Sequence, residues 1–367
     1  MARTLKSDKV LFWATLALVC TSVVMVYSAT AVSGAGRGPK QLAFAALGVL
    51  ALFVAMRVDY HHLRRPAVIW TLLGFTAASL IAVFFFESRQ GATRWIPLGS
   101  VATFQPSELA KLAAIVFAAA VLERRMHRIK EPAYALGPIA MIVGVLALLI
   151  VKEPDLGTAA VLILAVLAMI IAAGLSWRYL TGVCLLMLPV LVYFVLAFPF
   201  RVRRLLAFWN PAGTERDVGY QLEQSKIALG SGGPFGLGLS EGVQKLYFLP
   251  EPSNDFILAV IGEELGLIGT TAVLICFAVV VWRGLRAALL APDRFGALLG
   301  IGIAMMVGIQ AFINISVVVG LAPTKGIPLP LVSYGGSSLV ITLIAMGILL
   351  NISQQASPTA AATVGTT

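Results

Sequence analysis

Ten long apolar segments, separated by shorter polar stretches, occupy most of the 367-residue chain. A helix needs about 20 consecutive, mostly apolar residues to cross a bilayer. Segments near that length cover 10–32, 41–56, 67–86, 107–122, 135–151, 158–175, 179–199, 256–281, 296–320 and 337–352. This pattern predicts an all-α polytopic membrane protein with about ten transmembrane helices.

The longest polar stretch, 199–255, separates the seventh and eighth predicted spans. It contains an amphipathic stretch, 201–209, and a second helix-forming stretch, 219–230. We predict that both are short helices lying at the membrane interface. The Gly-rich residues that follow, 230–242, are interpreted as a mobile hinge.

The composition agrees with a membrane protein. The chain is 59% hydrophobic and 12% charged, with a mean hydropathy of +0.93, whereas a soluble domain is about 25% charged. We expect residues 1–352 to form one integral membrane domain and residues 353–367, rich in Ala, Ser and Thr, to be a disordered tail.

The net charge of +10 does not indicate nucleic-acid binding, because the distribution of the basic residues follows membrane topology. With the N-terminus inside, the inner segments contain 14 Lys and Arg residues and the short outer loops contain six. Basic residues accumulate on the cytoplasmic side of membrane proteins. We therefore predict that both termini and the tail are cytoplasmic, and that the long 199–255 loop is external.

Asp255 is the most informative polar residue, because it stands at the head of the apolar run 256–281. Pro250 and Pro252 prevent a helix before it, and Ser253 and Asn254 are good N-cap residues. A carboxylate at the mouth of a membrane helix is costly and is usually functional. Asp255 is therefore the candidate catalytic residue.

Three further charged residues lie at the starts of spans. Glu108 and Lys111, at i,i+3 spacing, lie on one helix face; they form either an ion pair that orients helices or a polar wall of a substrate cavity. Asp155, in Glu153-Pro-Asp155-Leu-Gly-Thr, belongs either to a polar turn or to the same cavity as a second carboxylate.

Two outer segments contain candidate anion-binding residues. Arg94, beside Trp95, is either a surface charge or a phosphate ligand, which suits the geometry of a guanidinium. Lys325 and Ser333 lie in a Pro- and Gly-rich stretch that predicts a re-entrant segment. Exposed amides there, with these side chains, would suit a pyrophosphate; a tight structural turn is the alternative.

The sequence lacks the motifs of several enzyme classes. It contains no P-loop, no dinucleotide-binding fingerprint and no HExxH zinc motif. Its histidines, His61, His62 and His127, fall in predicted inner loops without metal-ligand partners. We expect no resident cofactor and no metal site, although a divalent cation bound with the substrate is possible.

Several motifs together resemble the SEDS family (shape, elongation, division and sporulation), which includes FtsW, RodA and SpoVE. The resemblance covers about residues 10–352, and Ile261-Gly-Glu-Glu and Pro323-Thr-Lys-Gly favour the FtsW branch. Ser253-Asn254 departs from the residues usual before the aspartate. The motifs are Arg94-Trp95, Phe104-Gln-Pro-Ser-Glu-Leu-Ala-Lys111, Glu153-Pro-Asp155-Leu-Gly-Thr, Gly219-Tyr-Gln-Leu-Glu-Gln-Ser, Gln244-Lys-Leu-Tyr-Phe-Leu-Pro-Glu251, Asp255-Phe-Ile-Leu-Ala-Val-Ile-Gly-Glu-Glu-Leu-Gly and Pro330-Leu-Val-Ser-Tyr-Gly-Gly-Ser-Ser338.

The resemblance implies a peptidoglycan glycosyltransferase of cell division or elongation. Such an enzyme polymerises lipid II at the outer face of the bacterial cytoplasmic membrane, among membrane lipids, with a class B penicillin-binding protein as partner. Asp255 matches the family's essential aspartate, and we hypothesise that it is the general base of an inverting transfer. The candidate cations for the pyrophosphate are Arg94, Lys111, Lys245 and Lys325. The alternatives are a lipid II flippase and a scaffold that only recruits the partner.

Overall fold

The computed structural model describes residues 7–31, 36–86, 93–99, 102–128, 131–176, 179, 181–182, 185, 189, 192–193, 196, 198–209 and 218–356. Almost all of the regular structure in them is helical. The α-helices are α1 (Lys9–Thr30), α2 (Arg37–Arg57), α3 (Pro66–Val83), α4 (Pro106–Arg125), α5 (Pro132–Lys152), α6 (Leu156–Ala172), α7 (Pro199–Trp209), α8 (Val218–Ser231), α9 (Gln244–Tyr247), α10 (Ile257–Leu289), α11 (Arg294–Val319) and α12 (Gly336–Gln355). Short 3-10 helices cover Tyr60–Arg64 and Met126–Arg128.

The predicted spans coincide with these helices, apart from 179–199, most of which lies outside the described residues. Seven of the described helices are long and apolar enough to cross a membrane: α1, α2, α3, α5, α10, α11 and α12. The 17-residue α6 is apolar but shorter, and the 20-residue α4 carries charges at both ends. The prediction of an all-α polytopic membrane protein is confirmed.

Local sequence signals explain where the helices begin. Proline occupies the first turn of α3, α4 and α5, where its missing N–H costs nothing. The side chains of Asp8, Asp155 and Asp293 accept hydrogen bonds from backbone N–H groups of the first turns of α1, α6 and α11. These carboxylates satisfy amide groups that have no partner within the helix.

The centre of the bundle is built around α4, which is buried along most of its length. It contacts α3, α5, α6 and α11. Its many alanines, from Ala110 to Ala120, allow the neighbouring backbones to approach closely, as is typical of membrane helices. α2 packs along α12, and α1 packs along α10.

The long 199–255 stretch contains the two short helices expected from the sequence, α7 and α8. Its Gly-rich part, however, is hydrogen-bonded to α10 and is not a free hinge. The N–H groups of Leu237 and Gly238 donate to the carbonyls of Glu263 and Glu264 over 2.9 and 3.0 Å. This pairing is possible because Gly266, at φ 66° and ψ −164°, interrupts the helix and exposes its backbone.

Two short features differ from the sequence-based expectations. An antiparallel β-hairpin joins β1 (Ile96–Leu98) to β2 (Ala102–Phe104), directly before α4. α12 continues to Gln355, so the first residues of the predicted tail are helical, and residues 357–367 lie outside the described part of the chain.

Candidate functional site

A cavity of about 530 Å³ opens at one end of the bundle, where α2, α6, α10 and α12 begin and the β-hairpin leads into α4. Its lining contains six charged side chains: Arg37, Lys40, Arg94, Asp155, Glu251 and Asp255. The structure therefore brings three of the predicted site residues, Arg94, Asp155 and Asp255, to one cavity. The opposite end of the bundle is tied together by other contacts, such as the ion pair of Asp8 with Arg283 at 2.6 Å.

The backbone of Asp255 is held in place by two buried side chains. Asn314 Nδ2, on α11, donates to the carbonyl oxygens of Asp255 and Ile327, both over 2.8 Å. Ser333 Oγ donates to the carbonyl of Asn254 over 2.6 Å and accepts the N–H of Leu329 over 2.7 Å. These bonds join the loop before α10 to the segment before α12, so the position of the carboxylate is fixed by the fold.

The Asp255 carboxylate itself accepts no hydrogen bond from any described residue. Its surroundings raise its pKa to about 7, firstly because burial removes water and secondly because the Glu251 carboxylate is near. Arg94 and Arg204 oppose this rise in pKa, and Asp155 adds to it. A carboxyl group with a pKa near neutrality is a stronger proton acceptor than an ordinary aspartate.

Arg94 is oriented by backbone carbonyl groups. Its Nε donates to the carbonyl of Glu153 over 3.2 Å and its Nη2 to that of Pro154 over 2.5 Å. The remaining nitrogen, Nη1, faces Gly326, because a Cβ built on Gly326 would lie 3.9 Å from it and 3.2 Å from Asp255 Oδ2. The guanidinium and the carboxylate therefore flank the same glycine.

Glu153, next to Asp155, is fully buried, and both of its carboxyl oxygens lack a hydrogen-bond partner among the described residues. Burial raises its pKa to about 8, and the Asp155 charge adds to the rise, whereas Arg94 opposes it. Glu153 is thus mostly neutral at pH 7. In this state Glu153 does not cancel the positive charge of Arg94, which acts on Asp255 in the cavity lining.

Asp155 has both a structural and a site position. Its carboxylate caps α6 by accepting the Thr158 N–H over 3.1 Å and the Thr158 hydroxyl over 2.8 Å, and it accepts Gln105 Nε2 over 3.4 Å. These bonds agree with the prediction that Asp155 belongs to a polar turn. Because Asp155 also lines the cavity, it adds negative charge near Asp255.

The structure does not bring the other predicted site residues to the cavity lining. Glu108 and Lys111 form a buried ion pair at 3.0 Å. This agrees with the prediction of an ion pair between them. Lys111 Nζ also donates to Gln310 Oε1 over 2.5 Å, and Gln310 Nε2 donates to the carbonyl of Pro328, a lining residue, over 2.9 Å. The pair is thus connected to the cavity wall through Gln310, although neither charge lines the cavity.

Lys245, Lys325 and Ser333 also lie outside the lining. Lys245 is buried, pairs with Glu264 Oε1 at 2.5 Å and donates to Ser28 Oγ over 3.0 Å, which ties α9 to α10 and α1. Lys325 is exposed on the segment before α12. Ser333 acts on Asp255 only through the backbone bonds described above.

Four lining or neighbouring residues were not predicted. Arg37 and Lys40, in the first turn of α2, were counted only as loop charges, although a cation at the start of a span is the same kind of signal as Asp255. Glu251 lies four residues before Asp255 in the loop that leads into α10. Arg204, on α7, donates through Nη1 to the carbonyl of Thr324 over 3.3 Å, and burial together with Arg94 lowers its pKa. No group of three or more possible metal ligands occurs among the described residues.

The Glu251 charge provides a test of the electrostatics. In Glu251→Gln the amide keeps the shape of the side chain but removes a negative charge that raises the Asp255 pKa. Any activity that needs ionised Asp255 should then begin at a lower pH, because the carboxyl loses its proton earlier. Arg94→Gln removes a positive charge that lowers the Asp255 pKa, so the activity should begin at a higher pH. This variant also weakens anion binding. A pH–rate profile that is identical in wild type and Glu251→Gln would contradict this assignment.

A second test concerns the buried amide that holds the Asp255 loop. Asn314→Leu leaves two carbonyl groups without their donor, at a cost of about 1–3 kcal/mol each, and loosens Asp255. We expect the activity per folded molecule to fall about tenfold or more, since small displacements of a catalytic group are costly.

The matched control is Asn351→Leu. Asn351 is also buried, and its Nδ2 donates to the Met56 carbonyl over 2.8 Å, but at the opposite end of the bundle. This variant should lose stability, measured as the unfolding temperature in detergent, while its folded fraction keeps full activity. Equal activity losses in the two variants would show that Asn314 has no specific effect on Asp255.

Comparison with known proteins gives one consistent result. A family model described as cell cycle protein, covering FtsW, RodA and SpoVE, matches residues 9–358. The chain is 43% identical over 357 residues to the probable peptidoglycan glycosyltransferase FtsW of Geobacter sulfurreducens, which covers 94% of this chain and 95% of the relative. It is 40% identical over 364 residues to the stage V sporulation protein E of Bacillus subtilis, covering 95% and 97% of the two chains.

Solved structures give the same fold. A chain of a peptidoglycan synthase complex, studied for the coordination of polymerization and crosslinking, aligns with a TM-score of 0.80 at 29% identity. The rod shape determining protein RodA of Thermus thermophilus aligns with a TM-score of 0.70 at 27% identity. Each alignment covers 95% of this chain and 97% of the other.

Proposed function

We propose that this chain, which belongs to the cell cycle protein family of FtsW, RodA and SpoVE, is a peptidoglycan glycosyltransferase that polymerises lipid II during cell division or elongation. The relatives named as probable peptidoglycan glycosyltransferases support the activity, and their identity to this chain supports the FtsW branch. The observation that carries the proposal is the cavity in which Asp255, with a pKa of about 7, stands beside Arg94.

In the proposed reaction, Asp255 is the general base. Its carboxylate takes the proton of the acceptor sugar's 4-hydroxyl while that oxygen attacks C1 of the donor sugar. The bond from C1 to the lipid pyrophosphate breaks, and the pyrophosphate leaves as an anion, with inversion at C1. A sugar hydroxyl is far less acidic than Asp255, so the proton must move as the new C–O bond forms.

Arg94 is the proposed electrostatic partner of the leaving group. Its hydrogen bonds to the carbonyls of Glu153 and Pro154 fix the guanidinium before the substrate binds. Preorganised charge of this kind stabilises a developing anion without reorganisation. The neutral state of Glu153 near pH 7 supports this role, since an ionised carboxylate there would cancel part of the Arg94 charge.

The chain is a multi-pass membrane protein. We place it in the bacterial cytoplasmic membrane with both termini inside, so that the cavity faces outward. Residues 1–352 would then form the single membrane domain. A class B penicillin-binding protein is the proposed partner, because a chain of similar fold belongs to a peptidoglycan synthase complex that couples polymerization to crosslinking.

The test compares two activities of the purified wild-type protein with its partner. A gel of products formed from labelled lipid II reports polymerisation, and a liposome assay with the same lipid reports translocation. The proposal predicts glycan strands on the gel. Translocation without strands would instead favour the flippase, a class of protein in which broken helices such as α10 are common. If the protein forms no strands and translocates no lipid, the scaffold is favoured.

A further inference from the structure

The cavity has cations on two separate elements. Arg94 precedes the β-hairpin, whereas Arg37 and Lys40 lie on the first turn of α2. The mechanism above uses only Arg94. A transfer between two lipid-linked sugars must accommodate two oxyanionic substrates, so the α2 side of the cavity needs an explanation.

Arg37 is already committed to protein groups. Its Nη1 donates to Ser253 Oγ over 3.0 Å and lies 3.6 Å from Glu251 Oε2, and its guanidinium stands 5.6 Å from the centre of the Tyr334 ring. Glu251 Oε2 also accepts Asn254 Nδ2 over 2.8 Å. Arg37 is therefore engaged with Ser253 and Glu251 and shapes the loop before Asp255.

Lys40 is different. It lines the cavity and is partly exposed, and within the described part of the chain no carboxylate or other acceptor lies within bonding distance of its ammonium group. Phe44, one turn further along the same helix face, lines the cavity as well. Lys40 thus presents its charge to the cavity and not to a protein partner.

Hydrogen bonds connect the residue next to Lys40 with the loop that precedes Asp255. The next residue, Gln41, is buried and its Nε2 donates to Ser22 Oγ over 2.7 Å and to the Ser333 carbonyl over 3.4 Å. Ser333 in turn donates to the carbonyl of Asn254. A short chain of contacts therefore fixes where the lysine stands relative to the base.

We propose that Lys40 binds a substrate oxyanion, at a subsite separate from Arg94. This inference rests on the proposed function and specifies a second anionic subsite in the same cavity. An ammonium group suits such a role because it is a compact charge on a flexible stem and follows an anion without a fixed geometry. The oxyanion is a phosphate of the lipid carrier or a carboxylate of the peptide stem.

The test uses the full chain with its partner and measures kcat and KM for lipid II. Lys40→Gln should raise KM about tenfold with a smaller change in kcat, because the lost contact binds substrate before and during the reaction alike. Lys40→Arg, which keeps the charge, should remain near wild type. Lys226→Gln, an exposed lysine of α8 outside the cavity lining, is the control and should not change KM. An unchanged KM in Lys40→Gln would overturn the proposal.

Inhibition by undecaprenyl pyrophosphate, which carries no peptide, separates the two sources of the oxyanion. If Lys40→Gln weakens this inhibition as much as it raises KM, the ligand is a phosphate. If KM rises while the inhibition stays at the wild-type level, the ligand is a peptide carboxylate. If the wild type makes no polymer, the proposed function fails, and direct binding of undecaprenyl pyrophosphate and of lipid II to wild type and Lys40→Gln then decides the subsite, with equal affinities for both ligands overturning it.

Discussion

Asp255→Asn should reduce the rate of lipid II polymerisation by about 10²–10⁴-fold, the usual contribution of a general base. Asparagine has nearly the same shape as aspartate but does not accept the proton of the attacking hydroxyl. The variant should fold normally, because the structure uses the backbone carbonyl of Asp255, through Asn314, and no described donor bonds to the carboxylate. The measurement is the initial rate of lipid II consumption by equal amounts of folded protein.

Asp293→Asn is the matched control for this loss. Asp293 caps α11, accepts the Gly296 N–H over 3.0 Å and bonds to the Tyr60 hydroxyl at the opposite end of the bundle. Its replacement should lower the unfolding temperature and leave the rate per folded molecule unchanged. If Asp255→Asn polymerises lipid II at the wild-type rate, Asp255 is not the general base.

Lys111→Met should produce the largest loss of stability. The Lys111 side chain is only 3% exposed and pairs with Glu108, whose side chain is 2% exposed. Removing one member of a buried pair leaves an uncompensated charge, which typically costs about 3–5 kcal/mol. The variant also loses the bond to Gln310, which holds the Pro328 carbonyl at the cavity wall. The measurement is thermal unfolding in detergent.

Two further variants separate charge from packing. The double variant Glu108→Leu with Lys111→Met removes both charges and should recover much of the lost stability, because replacing both partners by apolar residues is often neutral. Arg64→Met breaks the 3.0 Å pair of Arg64 with Glu123, whose side chains are 48% and 13% exposed, and should cost less than Lys111→Met because water still reaches this pair. A double variant no more stable than Lys111→Met would show that the loss does not come from the unpaired carboxylate.

The sequence predicted the helices well, because membrane spans are set mainly by length and apolarity. It also predicted Asp255, Arg94 and Asp155 as site residues, and the structure brings these three to one cavity. Asp255 and Asp155 stand at the heads of apolar runs, where a charge is costly and therefore conspicuous. Arg94 was chosen for its place beside Trp95. The hairpin between β1 and β2 and the docking of the Gly-rich segment were not predictable in this way. The docking depends on the Gly266 break and on backbone groups whose partners lie far away in the sequence. The two strands of the hairpin have only three residues each, too few for an alternating pattern to stand out.

Two lysines, Lys40 and Lys245, have surroundings that could not be predicted from the sequence. Lys40 directly precedes an apolar run and Lys245 lies in the long polar stretch, yet only Lys245 was chosen as a substrate ligand. In the structure Lys245 is buried against Glu264, whereas Lys40 lines the cavity. Whether a lysine meets a carboxylate or a cavity depends on how α2, α10 and α12 come together, and no local pattern in the chain records that arrangement.

The most direct test of the central claim is the pH dependence of kcat/KM for lipid II polymerisation by the wild-type protein. The base must be ionised, so protonation of Asp255 should switch the reaction off as the pH falls. The account predicts a rate that rises through a midpoint near pH 7, the pKa of Asp255, and a midpoint that moves lower in Glu251→Gln. A rate that stays flat from well below pH 7 to above it would contradict the assignment of Asp255 as the base.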